Sequence, residues 1–134
     1  VLRPQFERKK IKVDTQIMFD ESVSIKTYPS ALKRAIINIL SNACHFAPEN
    51  STVTTEALMK NGNIILRIAD QGPGLSYEDQ KNIFKFFYSR RPGGTGIGLA
   101  LAKTAIEHCK GTITFLESPD KKGACFVITI PISL

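Results

Sequence analysis

Two asparagines four residues apart, an aspartate closing an apolar run and a string of glycines before an apolar stripe are the residues of this chain whose types and spacing could do chemistry. They stand in the order Asn38-Ile-Leu-Ser-Asn42-Ala43, Asp70-Gln71-Gly72-Pro73-Gly74 and Gly93-Gly94-Thr95-Gly96-Ile97-Gly98-Leu99. Asparagine amides are neutral, hard oxygen ligands, suited to an octahedral Mg²⁺ that keeps some waters and takes its other ligands from phosphates. An ionised aspartate only accepts hydrogen bonds. Adenine's exocyclic amine donates where guanine carries a carbonyl, so a fixed Asp70 would select ATP over GTP and leave the wrong base with a costly unpaired group. Glycines ahead of a helix offer phosphate oxygens unobstructed backbone N–H groups and the positive end of the helix.

Each signal has a plainer alternative. Asn38, Asn42 and His45 fall on the side of a helix opposite the Leu32/Ile36/Ile39/Ala43 stripe, and a solvated polar face would do the same. Asp70 could begin an Asx turn into Gly72, Pro73 and Gly74, whose glycines would otherwise let the backbone lie against a flat base. The glycine run could be a linker, yet it leads straight into the Leu99/Ala102/Ile106 stripe. Arg90 and Arg91, just before it, could reach a terminal phosphate. His45 could touch phosphate or ribose, whereas His108, near a helix C-terminus, reads as structural. Two common nucleotide motifs are excluded. A Walker A loop needs Gly-Lys-[Ser/Thr] where this chain has Gly98-Leu99-Ala100, and a Rossmann fingerprint needs a strand where it has Ile83-Phe84-Lys85-Phe86-Phe87-Tyr88.

The elements that must position these residues follow from periodicity. Ile11, Val13, Thr15 and Ile17 alternate with Lys12, Asp14 and Gln16, a half-buried strand, with residues 23–26 expected to pair with it. A helix is predicted from an N-cap at Ser30, carrying Leu32, Ala35, Ile36, Ile39, Leu40 and Ala43 until Pro48 stops it. Strands over 52–59 and 63–69 flank Asn61-Gly62, a strong hairpin signal, and deliver Asp70 to a strand end. Residues 77–88 read as a short helix and an aromatic cluster, with the run from Phe84 to Tyr88 packing in the core at the base of a mobile lid over 88–94. A helix over 99–109 is capped by Gly111, and strands over 112–116 and 124–130 are joined by a turn through Ser118-Pro119-Asp120. Strands gathered in pairs predict an α+β two-layer sandwich, a mixed or antiparallel sheet covered by helices on one face.

With 134 residues, 43% of them hydrophobic, the chain suits one domain over 1–134 with one core, its first eight residues reading as the tail of an upstream linker. Uncharged runs such as 35–46 and 123–134 fall short of the ~18–20 apolar residues a membrane span needs. No membrane contact by this domain is expected. Cys44, Cys109 and Cys125 form no CxxC pair, which suits buried thiols in a reducing cytoplasm. The net charge of +6 is dispersed over short clusters, a solvated basic face or a dock for an acidic partner rather than a nucleic-acid surface.

In order and spacing, nearly the whole chain resembles the ATP-binding catalytic domain of bacterial sensor histidine kinases. These belong to the GHKL superfamily, which also holds type II topoisomerases, a heat-shock chaperone and mismatch-repair ATPases. Residues 38–43 resemble its N box, Asp70 to Gly74 its G1 box, Phe84 to Phe87 its F box and Gly94 to Leu99 its G2 box. The resemblance implies the Bergerat fold, a five-stranded mixed sheet with three main helices. It also implies ATP and Mg²⁺ as cofactors: Asn42 ligating Mg²⁺, Asp70 taking the adenine amine, Arg90 or Arg91 contacting phosphate from the lid, and His45 and Phe46 flanking phosphate, ribose or base. Asn38, Gly72, Gly74, Gly94, Thr95, Gly96, Gly98 and Leu99 would complete the ATP site, and Phe84 and Phe87 would anchor the lid.

Asn38 separates the subfamilies by resemblance. Where ATP-hydrolysing members carry a glutamate one turn before the metal-binding asparagine, this chain carries an amide, which is no general base. The γ-phosphate would then go to a histidine on a separate dimerisation domain, expected in the same polypeptide, and onward to a response regulator. Neither His45 nor His108 fits that acceptor. A cytoplasmic location is implied, in a parent kinase that could itself be membrane-anchored. A silent nucleotide-binding regulatory module and an ATPase switch are the alternatives.

Overall fold

The computed structural model describes residues 2–20, 22–90, 95–117 and 123–132. The chain runs α1 (Arg3–Arg8), β1 (Lys12–Met18), α2 (Pro29–Phe46), β2 (Thr52–Lys60), β3 (Asn63–Ala69), α3 (Tyr77–Asn82), α4 (Gly98–His108), β4 (Thr112–Glu117) and β5 (Ala124–Pro131). The five strands form one mixed sheet in the order β1-β2-β3-β5-β4. Only β1 and β2 run parallel, with α2 as the crossover between them.

Period-2 alternation gives the sheet one apolar face. Ile64, Leu66 and Ile68 of β3 stand opposite Ile130, Ile128 and Phe126 of β5, and Ile113 of β4 stands opposite Ile128. Against this face α2 buries Ala35, Ile39 and Ala43, and α4 buries Leu99, Ala102 and Ile106. The other face carries polar cross-strand pairs such as Glu56 opposite Arg67. Asn61 and Gly62 both take positive φ, 52° and 78°, as the tight turn between β2 and β3 requires.

The structure departs from expectation at several junctions. Residues 23–26 form no strand. Asp20 turns the chain by accepting from the backbone N–H groups of Ser22 and Val23, and Lys26 then donates its backbone N–H to the Ile132 carbonyl just past β5. Ser30 is not the N-cap: α2 starts at Pro29, which lacks the N–H that a first-turn residue would leave unpaired. Residues 3–8, expected as a linker tail, are helical and seat Phe6 in the core. Beyond α4 the left-handed residue is Lys110, φ 64°, rather than Gly111, whose missing side chain instead makes room for the Thr129 carbonyl. The turn expected at residues 118–120 lies outside the described residues.

Lys9 ties α1's exit to the far end of α2, its Nζ donating to the carbonyls of Cys44 at 2.9 Å and His45 at 3.0 Å. These are two of the carbonyls a helix leaves without internal partners, and a cation suits that negative end. Because Ile39 is wholly buried between α2 and the sheet, Ile39→Ala should cost about 2–5 kcal/mol in urea unfolding. A loss under about 1 kcal/mol would mean that α2 does not pack as described.

Candidate functional site

Asp70 is the one charged side chain among the described residues that is buried, 7% exposed. Its Oδ1 accepts from the backbone N–H of Gly72 at 2.8 Å and of Ala124 at 3.2 Å, which fixes the carboxylate where β3 ends and β5 begins. Burial pushes its pKa above the ordinary value, and these two N–H groups together with nearby Arg90 pull against that shift. The Asx turn offered as the plainer reading is therefore present, and the same carboxylate is also buried. A side chain at Gly72 would put Cβ 2.5 Å from the Phe46 carbonyl oxygen and 3.0 Å from Asp70 Oδ1. Glycine there lets α2's end close over the carboxylate.

Asn38, Ser41, Asn42 and Phe46 of α2 line one wall of a cavity of about 260 Å³. Ile83, Tyr88 and Arg90 line another, and Thr95, Gly96, Gly98 and Leu99 a third. The buried amide nitrogen of Asn42 has no hydrogen-bond partner among the described residues. Such a group is costly unless a ligand completes it, and an asparagine amide presents an acceptor oxygen beside that donor. At Gly98 an added Cβ would meet nothing within 4 Å, and α4 begins there with no side-chain cap on its first N–H groups. The glycine-to-helix junction thus opens on space, in the arrangement that favours anions.

Not every expected residue joins this cavity. His45 lies in a neighbouring groove with Gln5, Arg8, Lys9, Ser41 and Cys44, its ring edge-on to Phe46 at 4.8 Å. Asn42 does not belong to a solvated face, because α2 turns it into the cavity while His45, one turn on, stays exposed. Asp70, Gly72 and Gly74 do not line the cavity themselves; Gly74 meets its wall through Arg90, whose Nη1 donates to the Gly74 carbonyl at 2.9 Å. Arg91 and Gly94, with Gly93, lie outside the described residues.

The aromatic run is not wholly core. Phe84 packs edge-on against Phe126, ring centroids 6.0 Å apart, but Phe86 and Phe87 are 52% and 77% exposed. Phe87 takes part through its backbone: its N–H donates to the Gly96 carbonyl at 2.7 Å, and a Cβ at Gly96 would strike the Phe87 and Tyr88 backbone. Tyr88 is tethered in turn, its hydroxyl donating to the carboxylate of Asp79 in α3, a bond that pushes its pKa up to about 12.

Sequence reasoning missed Ser41, Ile83 and Gly123 as contributors and gave Tyr88 only as the start of the lid. Gly123, at φ +81°, donates its N–H to the Gly72 carbonyl at 2.7 Å, and a side chain there would collide with the Asp70 carbonyl. A glycine immediately before a strongly alternating strand was its one signal. Cys44 and Cys109 are buried and Cys125 is half-buried, all three as free thiols. Among the described residues no cluster of three or more His, Cys, Asp or Glu could hold a metal, and no helix is long and apolar enough to cross a membrane.

Comparison with known proteins adds to this geometry. The chain is 33% identical to the sensor protein EvgS of Escherichia coli (strain K12), over 94% of this chain and 11% of that protein. It is 32% identical to the adaptive-response sensory kinase SasA of Thermosynechococcus vestitus, over 98% of this chain and 35% of that protein. It therefore spans between about a tenth and a third of these relatives' lengths. In fold it is similar to the catalytic domain of histidine kinase ThkA, with a TM-score of 0.87 at 20% identity, covering 98% of this chain and 86% of that one. Residues 27–134 match the model of the histidine kinase-, DNA gyrase B- and HSP90-like ATPase family, and the chain belongs to that family.

Proposed function

We propose that this chain binds Mg-ATP and presents the γ-phosphate to a histidine on a separate dimerisation domain, as the catalytic part of a cytoplasmic two-component sensor kinase that passes phosphate to a response regulator. The observation that carries the reading is the buried, unpartnered amide of Asn42 in a cavity walled by α2, Arg90 and the start of α4, with the buried carboxylate of Asp70 held close to the Phe46 end of α2 by Gly72. Asp70 suits the adenine amine as acceptor. Asn42, with phosphate oxygens and water, suits Mg²⁺, which when bound would neutralise phosphate charge. The α4 N-terminus with Thr95, Gly96 and Gly98 suits the phosphates.

Asn38 lines the same cavity one turn before Asn42. An amide there cannot take a proton from water, so the residues around the phosphates bind, orient and neutralise charge rather than do acid–base work. That supports transfer to an incoming nucleophile over steady hydrolysis. The relatives, named as sensor proteins and sensory kinases, are far longer than this chain, which leaves room in such proteins for the acceptor.

Calorimetric titration should find ATP bound more tightly than GTP, with Asp70→Asn weakening ATP by about 10- to 100-fold, the cost of an unsatisfied buried hydrogen-bonding group. Equal affinity for the two nucleotides, or an unaffected variant, would refute the site. Asn42→Ala should abolish the part of ATP affinity that Mg²⁺ adds and leave adenosine binding in place.

The ionised form of Asp70 is the acceptor, and burial raises its pKa. Adenosine affinity should therefore fall on acidification at higher pH than an ordinary aspartate would give, and Asp70→Asn should flatten that profile. Incubated with γ-labelled ATP and a histidine-bearing dimerisation domain, the chain should yield acid-labile, alkali-stable phosphate on that domain. Rapid phosphate release to water without such transfer would favour the ATPase switch.

A further inference from the structure

Arg90 is poorly accounted for as a phosphate ligand alone. Its guanidinium lies over the Phe46 ring, 3.7 Å from the centroid, and Nη1 donates to the Gly74 carbonyl at 2.9 Å. Its Nε and Nη2 are buried with no hydrogen-bond partner. A purine needs a flat apolar face to stack on, the Asp70 carboxylate for its amine and close backbone at Gly72 and Gly74. Arg90 engages the first and the last of these and feels the Asp70 charge as well. A planar, weakly hydrated cation can do this because guanidinium stacks on an aromatic ring much as a base does.

We infer that Arg90 is a displaceable occupant of the adenine subsite, stacked on Phe46 as a stand-in for the base, so that a nucleotide must expel it to bind. The inference rests on the proposed nucleotide site and adds its regulation. Stacking and one charge-assisted bond hold the side chain in, while two buried guanidinium nitrogens without partners push it out, so neither state dominates strongly. The segment leading to Arg90 is pinned by Tyr88 on Asp79 and by Phe87 on Gly96. Displacement is therefore a swing of the side chain about a fixed stem. Once out, the same N–H groups are free to meet phosphate oxygens, so nucleotides with phosphates recover what the base alone loses.

The test separates base from phosphate. Because a site that is only partly open weakens apparent affinity by its open fraction, Arg90→Ala should bind adenosine about 5-fold more tightly than the wild type. ATP, which also loses a phosphate contact, should gain nothing or weaken. Arg90→Lys, which keeps the charge without the planar fork, should tighten adenosine binding and retain ATP affinity. In NMR spectra recorded before nucleotide is added, the Arg90 side-chain Nε–H signal should be ring-shifted, return to its ordinary position in Phe46→Leu, and move on adenosine addition. An unshifted signal, or adenosine affinity unchanged or lower in both Arg90 variants while ATP still binds, would overturn the inference and leave the nucleotide site standing. A shifted signal with no adenosine or ATP binding by any form would overturn the site and the inference together.

Discussion

Keeping an ionisable carboxylate at the end of a core strand constrains everything around it. Asp70 continues β3 directly after Ile68 and Ala69, and burial alone would drive it towards its neutral form. Two backbone N–H groups, from Gly72 and Ala124, oppose that tendency. They do so only because the chain can approach closely on both sides, at Gly72 under the Phe46 carbonyl and at Gly123 against the Asp70 carbonyl. Three separated pieces of sequence are thereby locked to one another: the end of α2, the loop after β3 and the entry to β5. The carboxylate is left fixed in direction and acceptor-only when ionised, and discrimination between purine amine and carbonyl requires that combination.

The second constraint is borne by α2, whose two faces serve different purposes. Ala35, Ile39 and Ala43 hold it to the sheet, and that burial sets the rotation at which Asn38 and Asn42 enter the cavity. Its pitch then puts Phe46 at the cavity's end and His45 outside it. Lys9 fixes the last turn by bonding the carbonyls of Cys44 and His45, so a residue of the first loop helps to set where Phe46 lies. Core packing and site geometry are coupled through this rigid element and also directly, since Ile83 and Leu99 are buried in the core and line the cavity.

Much of this was legible in the sequence because period and turn chemistry are local. The Asn61-Gly62 hairpin, the α2 stripe and the alternation of β5 follow from neighbours alone, and from them a sheet, mixed or antiparallel, with helices on one face. What escaped was set at a distance. Residues 23–26 look extended and form no strand, because the edge strand's partner is β2, forty residues on in sequence, and no local pattern encodes that. Phe86 and Phe87 read as core by hydrophobicity alone, whereas the loop needs Phe87's backbone, at φ 70°, more than its ring. Gly123 owes its place to the Asp70 carbonyl, which a side chain there would strike, and a glycine before a strand carries no mark of that contact.

The cavity's chemistry is one-sided in a way that fits a domain working on a nucleophile from elsewhere. Its walls carry the amides of Asn38 and Asn42, the hydroxyls of Ser41, Tyr88 and Thr95 and the guanidinium of Arg90, and no carboxylate or imidazole stands among the described residues that line it. An isolated site of this kind holds a phosphoanhydride without an efficient route to water. Reaction then depends on when the acceptor arrives and on whether the nucleotide is seated. If Arg90 competes with the base for Phe46, seating is itself an equilibrium, set by stacking on one side and by two unpartnered guanidinium nitrogens on the other. Fixing Arg90 on phosphate could then raise apparent affinity by no more than the few-fold that the closed state withholds, a graded control rather than a switch.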